Sequence, residues 1–149
     1  MYPIILSVHN VLRWVVVVLA ILALVRAYRG WLGKSEWTGA DRRTGVFFTS
    51  AMDMQLLLGL LLYVFFSPIT KAALSDLGSA MGNAGARFFA LEHFLYMFIA
   101  VVFAHLGNTF AKKAAEPHSK HRRAAIWYTL TALAILLGMP WMRPLFPGL

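Results

Sequence analysis

Six ionisable side chains stand inside otherwise apolar runs of this sequence: His9, Arg13, Asp53, Glu92, His93 and His105. A charged group in hydrocarbon costs on the order of 3 kcal/mol or more, so such residues face a partner, a cofactor or a cavity. His9 and His93 have the most specific chemistry to offer. Imidazoles are axial ligands of haem iron, and two of them, one from each side, hold a haem b in a helical bundle. At about 1.5 Å of rise per residue, His9 lies about 8 Å and His93 about 9 Å below the same surface. The expected assignment is cofactor binding by His9 and His93, with haem iron as the metal. A structural role, in which each ring hydrogen-bonds a neighbouring helix, stands beside it.

Arg13, Asp53, Glu92 and His105 make up an expected buried polar network. Arg13 and Asp53 both fall near the middle of their runs and can pair, and Glu92, about a turn shallower, can share Arg13. This set reads either as an ion pair locking helices together or as a proton or quinone site. His105 comes twelve residues after His93. Its side chain therefore points about 120° away and cannot serve the same ligand; a hydrogen bond to Asp53 is one expected use. His118 and His121, beside Pro117 and Lys120, read as solvated loop residues near lipid phosphate. No nucleophile–base set, phosphate loop or dinucleotide fingerprint appears, so no catalytic residue is assigned and activity as a free-standing enzyme is not expected.

The elements that must position these residues are helices in a membrane. Of the 149 residues, 60% are hydrophobic and 13% charged; a soluble domain carries about 25% charged residues. The chain reads as one all-α transmembrane domain over residues 1–149, with helices at about 4–28, 45–66, 87–112 and 124–142. The first run ends in Arg26-Ala27-Tyr28-Arg29 and not at a small-residue cleavage site, so it reads as a retained helix. There is no cysteine, which excludes disulfides, iron–sulfur clusters and thiolate zinc. The net charge of +8 lies mostly in two loops, where it sets topology; no nucleic acid partner is expected. Residues Arg26 to Arg43 and Lys112 to Arg123 carry five Lys/Arg each. The positive-inside rule puts both loops in the cytoplasm. The result is an up-down four-helix bundle in the bacterial inner membrane, both termini on the outer, periplasmic side. Thr38 or Asp41 is expected to cap the second helix. A short surface helix is expected near Lys71 to Leu77. Gly59 reads as a close-packing position, and Gly138 as a place that leaves room for a macrocycle, with Met97 a turn from His93.

Four segments carry a resemblance: HNVLRW at His9 to Trp14, DMQLLLGLLLY at Asp53 to Tyr63, RFFALEHFLYM at Arg87 to Met97, and the RRAAIWYTL…MPW stretch ending at Trp141. Together they resemble a family of small bacterial four-helix integral membrane proteins called cytochrome b-like. His9, Arg13, Glu92, His93 and Trp141 match the family pattern. Asp53 departs from it, since related sequences can carry histidine there, and this argues against a ligand from the second helix. The resemblance implies a subunit of an electron-transport system with a haem b and possible quinone exchange, acting in the lipid bilayer within a larger membrane redox complex. A cofactor-free accessory subunit of a respiratory or photosynthetic complex stays open as the alternative. A small proton or ion transporter using Arg13, Asp53 and Glu92 ranks third, because internal repeats and broken-helix signatures are missing.

Overall fold

The structure, a computed structural model, describes residues 1–144. Four long helices carry the fold: α1 (Tyr2–Leu32), α2 (Gly39–Leu61), α6 (His93–Lys113) and α7 (Pro117–Gly138). Three short ones, α3 (Pro68–Ser75), α4 (Leu77–Gly82) and α5 (Ala84–Arg87), connect α2 to α6. Among the described residues there is no strand. Three continuous helical stretches, Tyr2–Leu32, Gly39–Phe66 and Ala84–Lys113, are long and apolar enough to cross a membrane. α7 is not in that group, since its first two turns hold His118, Lys120, His121, Arg122 and Arg123.

The helices run further than their apolar cores. α2 starts at Gly39 and not near 45, because Thr38 and Asp41 form a capping box that satisfies free N–H groups in polar sequence. α7 starts at Pro117, where a missing N–H costs nothing at the first helical position. It ends at Gly138, before Met139-Pro140. Apolar length marks what a membrane can hold; helical hydrogen bonding begins wherever the end groups find partners. The loop expected over Lys112 to Arg123 is therefore mostly the first turns of α7. The short surface helix expected near Lys71 is present as α3, capped by the Ser67 side chain.

α1 packs against α2 and α7, and α6 packs against the same two helices, so α1 and α6 stand diagonally opposed. The interior is built largely from small residues: Ala20, Ala23 and Ala27 on α1, Ala100, Ala104 and Ala111 on α6, Ala124, Ala125 and Ala134 on α7. The large apolar side chains of α1, among them Val11, Val15, Val18, Ile21 and Val25, face outward. This size pattern suits hydrocarbon, where association comes from close backbone approach and not from hiding apolar surface. In water an apolar exterior this extensive would drive aggregation. Gly107 shows how near α6 and α7 come: a Cβ there would lie 2.7 Å from the Tyr128 ring and 2.9 Å from Trp127 Cβ.

One polar cluster ties α1 to the start of α2. Arg26 pairs with Asp41 at 2.8 Å, and Asp41 also accepts from the Thr38 backbone N–H at 2.8 Å. Tyr28 and Thr129 share a hydroxyl hydrogen bond at 2.8 Å, joining α1 to α7. His121 corrects an expectation. It is not a solvated loop residue but is 1% exposed, seated against Gly30, with its ring centroid 4.8 Å from that of Trp37 at a tilt of 58°, and bonded from Nε2 to the Glu36 carbonyl at 3.2 Å. Because α7 begins at Pro117, His121 falls one turn into the helix on its inward face.

Candidate functional site

A cavity of about 390 Å³ lies between the long helices, toward the ends where α1 begins and α7 finishes. Its size is that of a small-molecule pocket. α1 contributes His9, Asn10 and Arg13; α2 contributes Gln55 and Gly59; α6 contributes His93 and Met97; Met139 and Arg143 follow from the end of α7. The remainder of the wall is mostly apolar, including Leu6, Leu56, Phe89 and Ile135.

Two π-helical turns shape the mouth of this cavity. One, Leu62–Phe66, ends the α2 rod; the other, Phe88–Glu92, runs directly into His93. A π turn carries an extra residue, which re-aims the side chains after it and is common at functional sites. Its widened hydrogen bonding is supported here from the side. The Tyr63 hydroxyl donates to the Ala90 carbonyl at 2.6 Å, and the Thr70 hydroxyl donates to the Tyr63 carbonyl at 2.8 Å. α2, α3 and the turn before α6 are thereby locked together, and with them the position of His93.

His9 and His93 are brought together across the diagonal. Their ring centroids are 6.4 Å apart, with the planes inclined at 74°. His93 Nδ1–H donates to the Gly138 carbonyl at 2.6 Å. A carbonyl only accepts, so the proton is on Nδ1, and in the neutral ring Nε2 carries the lone pair. His9 sits with its Cε1 edge against Gly59, where an added Cβ would lie 3.3 Å away. The Gln55 amide nitrogen donates to the His9 carbonyl at 3.0 Å and lies 3.3 Å from His9 Nε2. Two polar atoms at the cavity, His9 Nδ1 and Gln55 Oε1, are buried with no hydrogen-bond partner among the described residues. Unsatisfied buried polar atoms cost about 1–3 kcal/mol each, and a ligand that meets them recovers that cost. Arg13 is 8% exposed, lines the same cavity, and has its guanidinium 5.8 Å from the Trp14 ring centroid.

The four residues expected to form one buried network do not all meet, although the expected hydrogen bond between His105 and Asp53 is present. Asp53 bonds His105, Oδ1 to Nε2 at 2.8 Å, and both side chains are about half exposed, on the outside of the α2–α6 seam. Glu92 pairs with Arg87 at 2.7 Å, also partly exposed, near the cavity mouth. Arg13 lies inside, at the cavity. The reason is angular: residues two apart on a helix point about 160° apart. With Asp53 on the outer face, Gln55 faces in and takes the place expected for the acid. Gln55 was visible beside Asp53 in the sequence, yet depth alone could not say which of the two turns inward.

Gly138 also has a different part from the one expected. It opens no space of its own: a Cβ there would collide with Met97 Cε and lie 2.7 Å from Tyr96 Cβ. Its bare backbone lets α7 close on α6 so that its carbonyl reaches His93. Among the described residues no group of three or more His, Cys, Asp or Glu side chains gathers to hold a metal ion. Compared with known protein families, curated proteins and solved structures, the chain matches none.

Proposed function

We propose that this chain is a small integral membrane subunit of a bacterial electron-transport system, and that its cavity takes a haem b between His9 and His93. The observation that carries this reading is the histidine pair itself. His9 on α1 and His93 on α6 have ring centroids 6.4 Å apart and would be the residues to hold the haem iron. The Nδ1–H bond from His93 to Gly138 is the second contact that orients a ligating histidine and directs its Nε2 lone pair away from the carbonyl. A bound haem would supply one-electron transfer. The protein's own part is to fix His93, exclude water with the apolar wall, and release His9 Nε2 from Gln55. The resemblance to cytochrome b-like proteins supports the same conclusion.

In this reading α1, α2, α6 and α7 form an up-down four-helix bundle in the inner membrane. The basic ends at Arg26 to Arg43 and Lys112 to Arg123 face the cytoplasm, and the cavity opens toward the periplasmic side, where both termini lie. A second reading has its own observation. Gln55 Oε1 and His9 Nδ1 have no partner among the described residues, and the Gln55 amide already engages His9. A quinol, with one hydroxyl donating to Gln55 Oε1 and its ring against the apolar wall, would satisfy that oxygen without taking Gln55 from His9.

Reduced-minus-oxidised visible spectra of the gently purified protein test these readings. The expected result is a b-type α-band stoichiometric with the chain, abolished in His9→Ala and in His93→Ala. Absence of the band with co-extracted quinone favours the quinol reading. Absence of both, with large redox subunits co-purifying, leaves a cofactor-free accessory subunit.

A further inference from the structure

Asp53 and His105 present a physical problem that the cavity does not solve. They are hydrogen-bonded to each other at 2.8 Å, yet their side chains are 47% and 48% exposed. They sit on the outer surface of α2 and α6, among exposed Ser50, Leu57, Val102 and Thr109. Asp53 is ten residues beyond Arg43, which is about 15 Å of helix. That is half of a hydrocarbon core about 30 Å thick. Wherever Arg43 marks the membrane surface, this pair faces outward at mid-membrane.

Lipid covers it poorly there. Ionisable side chains at that depth face protein or a water-filled cavity, because a lipid-facing one is costly. The internal bond uses one carboxylate oxygen and one ring nitrogen, leaving Asp53 Oδ2 and His105 Nδ1 pointed away from their shared contact. Something with one donor and one acceptor at the same depth must meet them.

We propose that a second copy of this chain meets them, in a two-fold dimer whose axis runs along the membrane normal through the α2–α6 seam. The two residues are bonded to each other and so lie at one level. A two-fold axis normal to the membrane keeps that level and sets the pair of one copy against the pair of the other in reversed order. Each His105 Nδ1 then meets the second copy's Asp53 Oδ2, so that four hydrogen bonds close a ring of two carboxyl groups and two imidazoles with zero net charge. An interface on a two-fold axis must be self-complementary, and an acid–base pair side by side at one depth is. A different partner would have to bring its own acid–base pair in the matching order; a second copy supplies it by symmetry. Ser50 and Thr109, small and polar on the same face, suit the close helix contacts of membrane interfaces. The proposal needs only that these helices lie in a bilayer, and it holds whatever the cavity binds.

The sequence contains no cysteine, so single-cysteine variants report contacts without background. Leu57→Cys, Val102→Cys and, on the far face of α1, Val18→Cys would be oxidised in membranes of the expression host. The expected result is a disulfide-linked dimer of this chain at 57 or 102 and none at 18. Replacing both polar groups (Asp53→Leu with His105→Leu) in the Leu57→Cys background should lower the cross-linked fraction by about tenfold at equal protein-to-lipid ratio, which is about 1.4 kcal/mol of association. Native mass spectrometry of the unmodified chain released from lipid nanodiscs should show a dimer, a readout that does not depend on any variant folding. A monomer in that spectrum, cross-linking at 18 alone, cross-linking of Leu57→Cys to a different protein, or an unchanged yield in the double leucine variant would each overturn the proposal.

Discussion

Gly138→Ala tests how the structure fixes His93. The added Cβ would lie 2.7 Å from Tyr96 Cβ and collide with Met97 Cε. Met97 can swing its end away, but Tyr96 Cβ is fixed to the α6 backbone. Restoring ordinary contact near 3.4 Å requires about 0.7 Å of separation between α6 and α7. Overpacking of this kind costs about 1–3 kcal/mol. The change from glycine to alanine in a helix returns at most about 1 kcal/mol, and less at a helix end. The net expectation is a loss of about 1–2 kcal/mol. The same displacement lengthens the 2.6 Å bond from His93 Nδ1 to the Gly138 carbonyl. Stability would be followed by helical signal during denaturation in detergent micelles, and His93 by its ring NMR resonances. Gly39→Ala is the control, since nothing lies within 4 Å of a Cβ there. If Gly138→Ala were as stable as Gly39→Ala and left the His93 resonances unmoved, the claim that bare backbone at 138 anchors His93 would fail.

Two other substitutions probe the same region. Tyr63→Phe removes the hydroxyl that donates to the Ala90 carbonyl; losing that hydrogen bond should cost about 0.5–1.5 kcal/mol, and faster amide exchange should be confined to the turn Phe88–Glu92. Equal exchange across the whole of α6 would show that Tyr63 does not act on that turn. Gln55→Leu separates the two ligand readings, because it frees His9 Nε2 while deleting the amide. Haem affinity, read by titration of the α-band, should rise or hold, whereas quinol binding would fall by about tenfold, one hydrogen bond's worth near 1.4 kcal/mol. A loss of haem affinity in this variant would make Gln55 a support of His9 and not its competitor.

Much of the helical architecture was legible in the chain because it rests on one-dimensional quantities. Apolar runs of spanning length locate three of the long helices; Thr38, one of the two expected caps, is the N-cap of α2, though the helix begins at Gly39 and not near 45. Depth along a helix is also one-dimensional, which is why His9 and His93 were expected at one level and are found in ring contact. His121 was misread because a polar, basic stretch looks like a loop unless the Pro117 start is recognised.

What residues alone determine here is composition along an axis: which segments suit hydrocarbon, where the basic ends fall, and how deep each polar side chain sits. Rotation about the helix axes was decided only by tertiary packing. Small side chains and glycines set which faces of α1, α2, α6 and α7 can approach, and that choice turned Gln55 inward and Asp53 outward, although the two are neighbours in sequence. It also brought the Gly138 carbonyl to His93 and paired Asp53 with His105 instead of Arg13. The physical reason is that hydrophobicity in a lipid-facing helix carries little angular information: both the buried and the exposed faces are apolar, so only close packing tells them apart.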